Sequence, residues 1–367
     1  SLIAGVIMWL AFRPVSFGPY AAVAAALLIV AQYRAPLRRA LLSGLIAGGA
    51  FFGLLISWMQ VIGFDAWILL AGYCAAWIAL LGIGTALVTR LPGWPVWVAS
   101  LWVLQEALRG SIPFGGFPWG RLAFAQPDTS YGKLAVLLGQ AGVTFALVLA
   151  GAAVVAAILG YRAGERLRFA AWAVFAAIIT VIPGLIPLQI GGDDVGGAPT
   201  AIVAVVQGGT PQTGMGGMDV RRDVLDNHVR ETTELGASID AGTVPQPDFV
   251  LWPENSADID PYGDVEAAAS ITAAAQAVGA PIIVGAVVDV PGNPDGVWNL
   301  GIVWDPGTGP GERYIKMHPV PFGEYIPFRR QLEGLISRLD RIPRDFIPGD
   351  RAGLLSVGGI PVGDVIC

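Results

Sequence analysis

The sequence predicts two unlike parts, a multi-pass α-helical membrane region followed by an α/β layered domain. Three observations carry this. Hydrophobic residues make up 54% of the chain and charged residues 14%, against roughly 25% charged in ordinary soluble domains. The charges are uneven, with few in residues 1–190 and nearly all the acids in 191–367. The apolar pattern changes at the same place, from long continuous runs to short strand-like stretches alternating with amphipathic ones.

Runs of ~20 apolar residues cross a bilayer as helices. The candidate spans are roughly 1–11, 18–33, 40–61, 66–89, 95–109, 133–159 and 168–190. The first is short and needs residues before Ser1 to be complete. The chain starts on Ser and stops on a strand-like run, so it reads as an excerpt with sequence missing on both sides. Gly44, Gly48 and Gly49 would allow close helix packing. Arg34, Arg38, Arg39, Arg90, Arg162, Arg166 and Arg168 fall in loops on one side, which the positive-inside rule makes cytoplasmic. An odd number of spans then places everything after residue 190 outside the cytoplasm.

The expected organisation is a helical membrane domain over 1–190, a linker over 191–198 and an α/β domain over 199–367. Gly and Asp at 191–197 mark the linker. Expected strands are 201–206, 249–252, 281–288, 300–304, 313–315, 354–357 and 362–366, with helices over 220–238, 265–278 and 331–339. Strands alternating with helices imply layered α/β packing.

A net charge of −6 and the lack of a Lys/Arg cluster argue against a nucleic-acid partner. No metal-ligand spacing or nucleotide motif appears, so no cofactor is expected. The glycines near Gly214–Gly217 lack the spacing and the lysine of a phosphate loop. Of the two cysteines, Cys74 lies in an apolar helix and reads as a small hydrophobe. Cys367 is the only thiol of the polar half, and a lone thiol there is notable.

Glu254 follows the apolar run Phe249-Val250-Leu251-Trp252, and Pro253 stops the strand ladder before it. Lys316 follows Tyr314-Ile315, and Cys367 closes Val362–Ile366. Side chains at strand ends are where α/β domains place chemistry. Each residue alone has a plainer reading, as a solvated acid, a surface lysine or a core cysteine. His228 reads as exposed on an amphipathic helix. His318 reads as site architecture rather than a base.

The order Glu, Lys, Cys and the words around each resemble the carbon–nitrogen hydrolase (nitrilase) superfamily, and within it the apolipoprotein N-acyltransferases. The matching words are Val206–Gln212, Leu251-Trp252-Pro253-Glu254, Trp298-Asn299, Tyr314–His318, Val320–Pro327 and Gly363–Cys367. In the membrane half, Gly116-Phe117-Pro118-Trp119 matches as well. Pro319 departs from the leucine usual in the family. The aromatic and acidic residues that the family carries after its nucleophile, and a last membrane helix, would follow Cys367.

The resemblance implies a nitrilase-like α-β-β-α sandwich after the membrane helices. It makes Glu254 the general base, Lys316 the oxyanion stabiliser, Cys367 the nucleophile and Glu324 a second acid. It places Trp119, Phe322, Tyr325, Trp252 and Asn299 on the substrate side. A phospholipid would donate an acyl chain through a cysteine thioester to the α-amine of a diacylglyceryl-cysteine lipoprotein. The location implied is the bacterial inner membrane, with the catalytic domain on the extracytoplasmic side. A free thiol titrates near 8.5 and a free glutamate near 4.3, so the proton transfer is uphill by roughly 4 units unless the site shifts both. Two alternatives stay open, a membrane-tethered amidase and a membrane scaffold. The Ala/Gly/Val-rich composition suggests a high-GC source, where relatives can be linked to a polyprenyl-phosphate mannose synthase, a candidate partner.

Overall fold

The computed structural model describes residues 1–187, 199–209, 221–332, 339 and 342–366. The expected linker, the glycines near Gly214–Gly217 and Cys367 lie outside the described residues. The chain divides into two compact units, Ser1–Asp194 and Val195–Cys367.

The first unit is built of helices α1 (Leu2–Leu10), α2 (Pro19–Gln32), α3 (Leu37–Leu55), α4 (Phe64–Val88), α5 (Trp94–Arg109), α6 (Ala135–Arg162) and α7 (Arg166–Leu185). Four segments, Leu37–Leu55, Phe64–Val88, Ser130–Arg162 and Arg166–Leu185, are long and apolar enough to cross a membrane. The chain is a multi-pass membrane protein. In its most apolar window the α6 segment is 67% buried and α7 only 11%, so α6 is central and α7 faces outward with leucines, valines and isoleucines.

Small residues set the α3–α4 contact. A side chain at Gly44 would meet the Ile78 carbonyl at 2.3 Å, and one at Gly82 the Ala40 carbonyl at 2.4 Å. Gly48 lies against Ala75. Backbones this close gain dispersion contacts that larger residues would forbid. Gly49 takes no part, because nothing lies within 4 Å of the place its Cβ would occupy. At one end the Arg34 amide donates to Thr89 Oγ1 at 3.0 Å, so the loops after α2 and α4 meet there.

The second unit holds a six-stranded sheet and a two-stranded one. In the first, β1 (Val203–Val205), β2 (Phe249–Leu251) and β3 (Ile282–Val290) are parallel neighbours. Strands β4 (Asn293–Asp305) and β5 (Gly309–Ile315) continue it antiparallel, and β6 (Asp345–Phe346) pairs with the start of β4. Strands β7 (Gly353–Val357) and β8 (Ile360–Asp364) form a separate hairpin. Helices α8 (Arg221–Asp240) and α9 (Val265–Val278) precede the parallel strands, and the short α10 spans Arg329–Leu332. The rest of the helix expected over 331–339 lies largely outside the described residues.

Strand alternation sends side chains to two faces. One face carries Val250, Ile282, Val284, Leu300, Ile302 and Trp304 against the inner side of α8 and α9. The other carries Phe249, Ile283, Val303 and Tyr314 against Leu355 and Val357 of the hairpin. Helices, sheet and hairpin therefore stack as α, β and β, the first three layers of the expected sandwich. Helix α9 begins where the Asp264 carboxylate accepts the Ala267 amide at 2.8 Å, and it ends at Gly279 with φ +66. Both are standard cap chemistry.

Gly285 and Gly301 are paired neighbours on β3 and β4, which puts them on one face, the hairpin side. A Cβ on Gly285 would meet the Pro253 carbonyl at 2.2 Å and Glu254 Cα at 2.8 Å. The missing side chain is what lets the turn carrying Glu254 lie on the sheet. Gly285→Ala is expected to leave the fold intact but displace Glu254. Overpacking costs about 1–3 kcal/mol, and a shift of ~1 Å at reacting groups costs ~10²-fold in rate. A thermal melt beside an acyl-transfer assay separates the two effects.

Candidate active site

Three segments bring the candidate residues together. Strand β2 ends at Leu251, and the backbone turns through Asn255 at φ 58, leaving Glu254 at the strand's end. Lys316 follows β5, and its amide donates to the Asn299 carbonyl at 2.9 Å, extending the β4–β5 ladder by one step. Residues 320–327 fold back as a tight turn in which the Glu324 amide donates to the Val320 carbonyl at 2.8 Å. The same turn is anchored to β6, where the Phe346 amide donates to the Glu324 carbonyl at 2.9 Å.

Lys316 is 2% exposed, and its ammonium donates to Glu254 Oε1 at 2.9 Å and to Glu324 Oε1 at 2.7 Å. Asn299 lies beneath both acids. Its Nδ2 donates to Glu254 Oε1 at 2.7 Å and to Glu324 Oε1 at 3.2 Å. Glu324 Oε2 accepts the Val320 amide at 2.7 Å, so this acid ties the turn to the lysine. Burial alone would push the Lys316 ammonium down. The hydrogen bonds and charges of Glu324 and Glu254 more than offset it, and Lys316 sits above the usual lysine range. It is a fixed cation throughout the physiological range.

The site thus holds two carboxylates and one ammonium. A thiol nearby can ionise without adding charge only by passing its proton to one of the acids. Glu254 is the better placed of the two, because its side chain is 30% exposed against 13% for Glu324. Glu324 has a second oxygen committed to backbone, whereas Glu254 keeps more solvent-facing surface.

Two residues expected on the substrate side are placed elsewhere. Trp252 is 2% exposed and lies in the helix-side core, with its indole N–H donating to Thr232 Oγ1 at 2.9 Å. It has no surface to offer a substrate, because its side chain, one residue past the end of β2, points under α8. Asn299 is 1% exposed and its amide hydrogens serve the two glutamates, so it orients the acids. Its Oδ1 is a buried acceptor with no partner among the described residues. Phe322 is 49% exposed at the rim of the turn, and Tyr325 is partly buried. Trp119 belongs to the other unit and is exposed there.

His228 is buried rather than exposed. Its Nδ1 is 2.7 Å from the Val224 carbonyl, and its ring packs on Trp252 with centroids 5.6 Å apart. Burial pushes its imidazole below the ordinary value, so it is a neutral core residue. His318 is exposed.

Sequence reasoning missed Asp364. This carboxylate lies over Gly301, where a Cβ would meet its Oδ2 at 1.8 Å, on the same face as Asn299. Its Oδ2 is buried with no partner among the described residues. Burial pushes the carboxyl above its usual range, and the Val365 amide offsets only part of this. The native state therefore holds this proton more tightly than the unfolded chain does. The stabilising contribution is complete below the unfolded value of about 3.9 and is lost as pH rises through the native one. Asp364→Asn is expected to melt higher than the parent at pH 7, with the gap closing towards pH ~4. Melts at the two pH values check this, and the glycine at 301 was the sequence signal available.

Membrane helices joined to a sheet domain in which a strand end and a turn bring two glutamates onto one buried lysine define a membrane protein with a nitrilase-like domain. Comparison with known proteins agrees. Residues 4–153 match the family model described as the apolipoprotein N-acyltransferase N-terminal domain. The chain is 37% identical to the apolipoprotein N-acyltransferase of Mycolicibacterium smegmatis, over 99% of this chain and 64% of that protein. It is 27% identical to the one from Methylococcus capsulatus, over 100% of this chain and 72% of the relative. By sequence the chain is similar to apolipoprotein N-acyltransferases, and it spans less than two thirds of the first relative's length and 72% of the second's.

Proposed function

We propose that the chain carries the activity its relatives are named for, N-acylation of lipoproteins at a membrane surface by a two-step transfer. The observation that supports it most is Lys316, buried between Glu254 and Glu324, in a chain that also carries membrane-crossing helices. A buried cation between two acids, one at a strand end and one in a turn, suits acyl chemistry through a thiol. The helices suit substrates that are themselves lipids.

In the first step, Cys367 sulfur attacks the ester carbonyl carbon of a phospholipid while its proton passes to Glu254. Lys316 stabilises the oxyanion. The carbon–oxygen bond then breaks, and Glu254 returns the proton to the leaving alkoxide, giving a lysophospholipid and a thioester. In the second step, the neutral α-amine of a diacylglyceryl-cysteine attacks the thioester and gives its proton to Glu254. The carbon–sulfur bond breaks, and the thiolate recovers that proton. The product is an amide. Glu324 holds Lys316 and the 320–327 turn in place, and Phe322 and Tyr325 flank the acyl chain. The positive-inside rule puts this chemistry on the extracytoplasmic side of the cytoplasmic membrane.

The test is the fate of a labelled acyl chain on the full-length protein. The proposal expects labelled peptide amide when a diacylglyceryl peptide is added, with little free fatty acid. Release of free acid at the same rate with and without peptide would instead describe a membrane-tethered hydrolase.

A further inference from the structure

Two ionisable side chains of the helical unit have no part in the chemistry above. Arg109 and Glu106 lie one turn apart near the end of α5, 1% and 4% exposed. Ionisable groups buried among apolar helices are costly and are retained where they serve a site. Both serve the same loop. Arg109 Nη1 donates to the Phe117 carbonyl at 2.7 Å and to the Trp119 carbonyl at 2.6 Å. The Arg109 carbonyl accepts the Phe117 amide at 2.7 Å, closing the loop on its own root. Glu106 takes the far end, accepting the Leu122 amide at 2.9 Å while Thr144 Oγ1 donates to it at 2.9 Å.

The loop can be held this tightly because of one glycine. Gly116 has φ +68, and a Cβ there would lie within 2.5 Å of the Ser111 nitrogen, the Arg109 carbonyl oxygen and the Gly110 carbon. What the clamp presents is apolar. Phe117 and Trp119 are stacked with centroids 6.2 Å apart and planes 13° apart. Trp58 leans on Trp119 at 5.8 Å. Trp119 and Trp58 are 52% and 47% exposed on a unit whose outer surface is rich in leucine, isoleucine and valine. An aromatic shelf on such a surface is suited to lipid chains near the membrane interface.

We infer that Arg109 is a positioning residue that holds the Phe117–Trp119 shelf against the acyl chains of phospholipid. The functional part of this rests on the acyltransferase reading; the positional part does not. A planar guanidinium reaches two carbonyls from one fixed side chain, which a lysine ammonium does less well and a glutamine worse.

The test uses the full-length chain in phospholipid nanodiscs and has two readouts. The first needs no activity: quenching of tryptophan emission by dibrominated phosphatidylcholine, taken as the difference between each protein and its Trp119→Phe counterpart. The Trp119 share is expected to survive in the parent and fall at least twofold in Arg109→Gln, with Arg109→Lys between. An unchanged share in a folded Arg109→Gln protein would overturn the positioning role. The second is the KM for phospholipid, expected to rise ~10-fold in Arg109→Gln with kcat changed less, and to change under ~2-fold when Trp119→Ala is already present. Equal effects in both backgrounds would overturn action through the shelf. Parent protein that forms no acyl-enzyme would refute the acyltransferase reading and the acyl-donor role of the shelf, while the quenching result still decides whether Arg109 holds Trp119.

Discussion

Lys316→Met is expected to abolish acyl transfer and to destabilise the α/β unit at the same time. The ammonium is nearly inaccessible and donates to both glutamates. Removing it leaves two carboxylates facing each other with only Asn299 between them. Breaking a buried pair from one side costs about 3–5 kcal/mol, with the lower end expected here because Glu254 keeps contact with solvent. The loss of an oxyanion donor costs a further ~10²–10³-fold in rate. Lys316→Arg separates the two effects. Its charge restores most of the melting temperature, while a longer, planar head misplaces the donor and leaves activity low. If Lys316→Met melts with the parent, the ion-pair geometry is not what holds the site.

Glu254→Gln tests the chemistry with the fold left alone. The amide oxygen still accepts from Lys316 and Asn299, and the Lys316–Glu324 pair survives. Stability should change little. The site loses its proton acceptor, so acylation should fall ~10²–10⁴-fold, the usual worth of a general base. Both steps pass their proton through this residue, so an activated thioester donor should not rescue the variant. Glu324→Gln should do less chemically, because it keeps the Glu254 carboxylate in place. If Glu324→Gln were the more severe loss in a folded protein, the two acids would exchange roles.

Much of this arrangement was legible before any coordinates. The apolar run Phe249–Trp252 stops at Pro253, and β2 lies within it, ending at Leu251. The Ala-rich segment 265–278 carries its own caps, Asp264 and Gly279, and it is α9. The pairing of Glu254 with Lys316 was not legible from spacing. The two are 62 residues apart in sequence, and family resemblance, not periodicity, put them in one site. Strand β4 starts at Asn293 and not at 300, because the hairpin at Gly292, with φ +77, lets polar residues join the ladder.

What escaped the sequence reading has a common cause. His228 is read from its neighbours in the chain and Trp252 and Asn299 from family resemblance, but burial depends on what another element lays over them. Helix α8 covers Trp252, the Trp252 ring and the backbone at Gly208 cover His228, and the Glu254 and Glu324 side chains lie over Asn299. Gly285 and Gly301 are two glycines among many until the strand register sets them side by side. Arg109 is one arginine at a helix end until its hydrogen bonds reveal the loop it grips.

The central claim is that a thiol ester forms on Cys367 with Glu254 and Lys316 as its machinery. Intact mass of the full-length protein after incubation with phospholipid tests it most directly, for the parent and for Cys367→Ser. The account predicts a hydroxylamine-labile fatty-acyl adduct on the parent, absent from Cys367→Ser and discharged by a diacylglyceryl peptide but not by water. A parent protein that binds phospholipid yet never gains the adduct, or a Cys367→Ser protein that gains the same labile one, would contradict it.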